Sequence, residues 1–193
     1  MASDITTAYP FLLNVYRDYK QGTLSEDDFV KVLGMLESYL VRRFVCAVPS
    51  HGLNKVFPGL YTHAKAFPSL PDGVAAVLKG RNFPKDADFA SSFTSVRLYG
   101  SGERVAKTKY ILEQLEGSFL HHEKVQYDNL TIEHVLPQTL TPWWTEQLGE
   151  EWEAVYGKYV DTIGNLTLTG YNSDLSNYSF EKKKDFYKDS HID

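Results

Sequence analysis

The chain has 193 residues, 42% of them hydrophobic and 23% charged, with a single cysteine and a net charge of −5; this excludes a disordered chain, an intramolecular disulfide framework and a multi-thiolate zinc site. Bulk electrostatic coating of nucleic acid is excluded as well, because non-specific affinity for phosphates comes from surplus Lys and Arg. The charge is uneven: residues 1–129 carry 15 basic and 14 acidic residues, and residues 130–193 carry 5 and 11.

Tyr9 to Tyr19 has the spacing of a first helix, with Phe11, Leu12, Val15, Tyr16 and Tyr19 on a buried stripe and Gly22 ending it. Ser25 followed by Asp28 reads as an N-cap with an acidic first turn, and Phe29, Val32, Leu33, Leu36, Tyr39 and Leu40 carry a long helix toward Arg42-Arg43. A helix from Leu53 to Ala66 follows, with a kink or break expected at Pro58-Gly59. Residues 67–83 read as loop plus one short helix over the apolar run Val74 to Leu78, and Phe89 to Tyr99 as helical or partly extended. Val105, Ile111, Leu112, Leu115 and Phe119 mark another amphipathic helix over Arg104 to Phe119.

After His121-His122 the texture changes. Leu130 to Leu136 alternates apolar and polar residues before Pro137, the pattern of a strand. Trp143, Trp144, Leu148, Trp152, Val155 and Tyr156 predict one or two aromatic-rich helices, and Tyr159 to Thr169 a second strand with a bulge or turn at Gly164. Ser179 is placed to cap a last helix, Phe180 to Lys188. No apolar run reaches the roughly 18–20 residues of a membrane span, and the first residues lack the charged and apolar regions of a signal peptide. The expected location is the cytoplasm, without a membrane partner.

Chemistry concentrates in three blocks. Glu133-His134-Val135-Leu136-Pro137 sets an imidazole, a general base toward water, beside a carboxylate able to hold a hard cation. Strand alternation sends Glu133 and His134 to opposite faces unless the strand ends there. The second block, Gly164-Asn165-Leu166-Thr167-Leu168, brings an amide 31 residues after His134. In the third, Asn172 and Asn177 offer oxygen ligands ahead of Glu181-Lys182-Lys183-Lys184, whose ammonium groups suit phosphate. Each block alone has a bland structural reading as a local hydrogen bond, a turn or a solvated helix face. Their conjunction is more specific.

Together these blocks, over residues 128–188, resemble the C-terminal nuclease domain of GmrSD-like restriction endonucleases, a variant of the HNH or ββα-metal superfamily. Residues 36–43 and 52–57 are similar to the helical region that precedes it in those proteins. The resemblance implies an α+β, predominantly α chain, with a helical region over 1–125 and an HNH-like ββα-metal domain over 126–193. It implies a DNA endonuclease using Mg²⁺ or Mn²⁺ in defence against foreign DNA, with modified DNA a candidate target. By residue, it makes His134 the base, Asn165 its orienting partner and Glu133 a metal ligand. Asn172 and Asn177 both remain candidates to complete the metal site, and Lys183, with Lys182 beside it, is expected near the DNA phosphate. The superfamily more commonly has Asp at the position of Glu133 and often His where Asn172 or Asn177 stands. The Asp-Gly-Gln-Gln-Arg motif of the family's nucleotide-hydrolysing domain does not occur here, so that domain is an expected partner outside this chain.

The alternative is a module whose fold survives without turnover and which contributes binding to DNA or a partner. Lesser candidates read as structural first: His121-His122 as exposed connector residues, Arg42-Arg43 as ion-paired arginines, Trp143, Trp144 and Trp152 as core rather than base-stacking platforms, and Cys46 as inert.

Overall fold

A computed structural model describes residues 6–119, 126–188 and 190, and the chain divides into two compact units, one up to Ser92 and one from Phe93. His121 and His122 lie outside the described residues.

The first unit is helical. Helix α1 (Tyr9–Lys20) ends where Gly22 takes φ +72°, a left-handed conformation that costs glycine little. Helix α2 (Glu26–Val45) starts on the expected cap, the Ser25 hydroxyl accepting the Asp28 N–H at 3.2 Å, with three acidic residues against the positive end of the helix. Helix α3 (Leu53–Ala64) runs through Pro58 without interruption, and α4 (Leu70–Lys79) is capped by Ser69. The apolar stripes of all four close one core around Phe11, Val15, Val32, Tyr39, Phe57, Leu60, Val74 and Leu78. The buried charged side chains of this unit have partners, although Arg43 Nε itself makes no hydrogen bond. The Asp18 carboxylate accepts the Tyr61 hydroxyl at 2.7 Å and lies 3.0 Å from the Lys65 ammonium, and these partners overcome burial to lower its pKa. Arg42 pairs with Asp86 at 2.6 Å, while Arg43 donates to the carbonyls of Arg81, Asn82 and Pro49.

Helix α5 (Asp86–Ser95) contains the boundary between the units. The second unit continues with α6 (Glu103–Ser118), β1 (Thr131–His134), α7 (Pro142–Leu148), α8 (Trp152–Tyr159), β2 (Leu166–Thr169), a short α9 (Asn172–Leu175) and α10 (Phe180–Lys188). The strands pair antiparallel with Ile132 opposite Leu168 and His134 opposite Leu166. Their apolar face, Ile132, Leu166 and Leu168, packs on Leu112 of α6 together with Tyr99, Val105 and Ile163. Helix α6 thus belongs to the compact unit that holds the strands, which begins well before the 125/126 division drawn from sequence. The chain is α+β and predominantly α, as expected.

Both strands are shorter than the alternation predicts. Helix α8 extends to Tyr159, and a 3₁₀ turn, Ile163–Asn165, occupies the stretch around Gly164 before β2 begins. Among the described residues no helix is long and apolar enough to cross a membrane.

Candidate active site

Strand β1 ends at His134, and beyond it the Val135 N–H donates to the Asn165 carbonyl at 2.9 Å, the last backbone link between the strands. Asn165 then clamps the departing chain with its side chain: Oδ1 accepts the Leu136 N–H at 2.7 Å, and Nδ2 donates to the carbonyls of Leu136 at 2.9 Å and Val160 at 2.8 Å. The amide expected to steady the imidazole therefore fixes the backbone that follows it.

Adjacent residues at the strand end turn to different partners, as alternation requires. Glu133 meets α10: its Oε1 lies 2.5 Å from the Lys183 ammonium, which also donates to the His134 carbonyl at 2.7 Å. His134 meets the other side, its Nε2 3.4 Å from Asp161 Oδ1 and its ring edge-on to Tyr99 at 4.5 Å. Because the strand stops here, both side chains still reach one cleft. That cleft, of about 220 Å³, is lined by Glu133, His134, Gln138, Thr139, Asn172 and Asn177, together with Tyr99, Ile132, Pro137 and Ser176. Asn172 is anchored by donating its Nδ2 to the Ile132 carbonyl at 3.1 Å, which commits the nitrogen and leaves its oxygen as an acceptor.

Burial sets the electrostatics. Glu133 and His134 are 4% and 5% exposed and Lys183 is 0% exposed. Burial holds the His134 imidazole below the ordinary histidine pKa, with Asp161 pulling it back up and Lys183 adding to the depression. A neutral imidazole at neutral pH is competent to accept a proton. Burial also pushes the Glu133 carboxyl up, opposed by Lys183 and by a backbone hydrogen bond. The nearby Tyr187 hydroxyl, buried without a hydrogen-bond partner, is pushed up to about 12 by burial and by the Glu133 carboxylate.

The structure thus gathers Glu133, His134, Asn172 and Asn177 on one cleft, with Asn165 behind it. Lys183, expected near a phosphate, has its ammonium in the interior on Glu133. Its neighbour Lys182 is exposed, with its ammonium 3.4 Å over the Tyr178 ring. Trp144 is core, its indole N–H donating to the Tyr178 carbonyl at 2.9 Å, and Trp143 packs edge-on against it at 5.0 Å. Sequence reasoning missed Tyr99 and Asp161, which reach His134 from 35 and 27 positions away and belong to no motif. It also missed Gln138 and Thr139, although they directly follow the first block and a strand end beside Pro137 was a signal for them.

The donors suit a hard cation in kind, since a carboxylate and amide oxygens are what Mg²⁺ and Mn²⁺ prefer. No group of three or more His, Cys, Asp and Glu side chains is arranged to hold a metal among the described residues. Among the described residues lining the cleft, Glu133 supplies the only formal negative charge and shares it with Lys183. Such a donor set would hold a cation only with further ligands from water or a bound phosphate.

Residues 83–193 match the family model for the C-terminal domain of GmrSD restriction endonucleases. No curated protein matches the chain. The matched segment takes in the whole cleft and more than half of the sequence, and it starts upstream of residue 128, so that α5 and α6 lie inside it. The chain belongs to the GmrSD restriction endonuclease family, of which it carries the C-terminal domain.

Proposed function

We propose that the chain is a metal-dependent DNA endonuclease of the HNH, ββα-metal type, acting in restriction of foreign DNA. One observation carries this reading: Glu133, His134, Asn172 and Asn177, from two separate stretches of sequence, meet on one polar cleft at the end of a two-stranded sheet. His134, buried and held neutral, takes the proton of the attacking water. Asn165 keeps the chain after His134 in place through its carbonyl, which accepts the Val135 N–H, and two side-chain hydrogen bonds to Leu136, so the base does not drift when DNA binds. Glu133, Asn172 and Asn177 would hold Mg²⁺ or Mn²⁺. When bound, the cation stabilises the charge that develops on the scissile phosphate and the departing oxygen. Lys182, exposed on α10, would meet the DNA backbone as a point charge, whereas Lys183 acts through Glu133.

The test is plasmid cleavage by the purified chain and its His134→Ala variant in Mg²⁺, Mn²⁺ and EDTA. Cleavage that needs the metal and falls by about 10²–10⁴-fold in the variant, with unchanged circular dichroism, is expected. Full activity in His134→Ala overturns the assignment of the base.

One observation favours the alternative, a catalytically silent module that binds DNA or a partner: the Lys183 ammonium already occupies the Glu133 carboxylate. Mn²⁺ separates the two readings. A rise in thermal midpoint with Mn²⁺ that disappears in Glu133→Gln supports a working metal site; no rise, together with retained DNA binding, supports the silent module.

A further inference from the structure

Asp161 lies between α8 and β2, outside the three sequence blocks. Its Oδ1 is 3.4 Å from His134 Nε2, and its Oδ2 is 3.8 Å from Arg97 Nε. Its backbone carbonyl accepts the N–H groups of Leu98 at 2.9 Å and Tyr99 at 3.2 Å, and Arg97 forms an antiparallel bridge with Thr162. The residue whose carboxylate faces the imidazole is thus stitched to the segment whose tyrosine stands edge-on to that imidazole at 4.5 Å. Two hydrogen-bonded segments of backbone thus each bring one side chain to the ring.

We propose that Asp161 is a positioning residue for His134: its carboxylate accepts the Nε2–H of the neutral imidazole and fixes that tautomer, leaving the lone pair on Nδ1. The functional part of this inference rests on the reading of His134 as the base. A neutral imidazole has one donor and one acceptor nitrogen, and a carboxylate can only accept, so a hydrogen bond to Asp161 dictates which nitrogen is free. Arg97 steadies the carboxylate, and the edge contact with Tyr99 opposes rotation of the ring. The 3.4 Å separation is long for a hydrogen bond, as is common at catalytic contacts without substrate.

The test reads the ring directly, by two-bond ¹H–¹⁵N correlation on ¹⁵N-histidine-labelled chain at pH 8, with His134→Gln assigning the signal. The unsubstituted chain is expected to show the Nε2–H tautomer, and Asp161→Ala a mixture of tautomers at an unchanged thermal midpoint. Cleavage by Asp161→Ala is expected to fall about 10–100-fold in kcat with KM for DNA little changed. Asp161→Ser serves if the alanine variant does not fold. A mixed tautomer in the unsubstituted chain, or an unaltered one in the folded variant, overturns the proposal. If the unsubstituted chain cleaves no DNA under any metal, the endonuclease reading fails, while the ring spectrum still decides the role of Asp161.

Discussion

Removing either charge of the Glu133–Lys183 pair leaves its partner in the interior, where an unpaired ion costs far more than the pair contributes. Lys183→Met is therefore expected to destabilise the chain by about 3–5 kcal/mol in urea unfolding, and Glu133→Gln by less, because the amide oxygen still accepts from the ammonium. The double variant Glu133→Gln with Lys183→Met should recover part of the loss. An additive result would show that the two side chains do not interact. The pH dependence of Lys183→Met has a definite sign. Burial raises the Glu133 carboxyl and Lys183 opposes it, so without the lysine the native carboxyl keeps its proton to higher pH than the unfolded one. The native state then binds more protons across that window, and stability falls as pH rises from about 4.3 through the native value. A variant whose stability climbs over that range contradicts this account. The same reasoning makes Glu133→Gln, rather than alanine, the substitution for testing metal binding.

Helices α3 and α4 meet at Gly73, where a Cβ would sit 2.7 Å from the Ala64 Cα and press on its carbonyl oxygen. Backbone cannot give way as a side-chain tip can, so Gly73→Ala is expected to destabilise the first unit by about 1–3 kcal/mol or more, read as a lower midpoint in urea. A neutral or stabilising effect, the usual result of removing an exposed helical glycine, would mean the two helices are less tightly apposed. Local signals explain why so many elements were legible: the Ser25 cap, Gly22 and the pattern of α10 act within a few residues, and those elements stand as predicted. No break falls at Pro58, because its local cost competes with the burial of Leu53, Val56, Phe57 and Leu60 along the same helix. Each of those side chains contributes about 1.5–3 kcal/mol when buried, together more than the roughly 3 kcal/mol a proline costs. The second strand was drawn too long because Val160 and Ile163, β-branched like strand residues, lend strand character ahead of Leu166 and Leu168, although Val160 follows directly on α8 and Ile163 starts a 3₁₀ turn. In the site, Glu133, His134, Asn172 and Asn177 were legible as motifs. Asp161 and Tyr99 were not, since only the folded chain brings them to the imidazole.

Across the whole molecule, the two units have separate apolar cores, and every described residue lining the cleft comes from the second. The family match begins at residue 83, ahead of the unit boundary at 92/93, and the difference is α5, which a cut at the boundary would divide. A fragment of residues 83–193 keeps α5 whole together with the core that supports β1 and β2, so it is expected to fold and to show the His134 ring signal of the full chain. A fragment of 93–193 begins inside that helix and loses its first turns, with the acidic residues Asp86 and Asp88 that favour a helix N-terminus. It should therefore melt at lower temperature. Comparing the two by circular dichroism, thermal midpoint and plasmid cleavage in Mn²⁺ tests whether the family segment is the working unit. If 83–193 folds with an unchanged ring signal but cleaves less than the full chain, residues before 83 contribute to DNA binding. The acidic surplus of residues 130–193 makes that outcome physically reasonable, since the part of the chain holding the cleft carries little positive charge to attract phosphate. The salt dependence of DNA binding then locates the contribution: a shallower slope for 83–193 than for the full chain assigns phosphate contacts to the first unit, and equal slopes assign them all to the second.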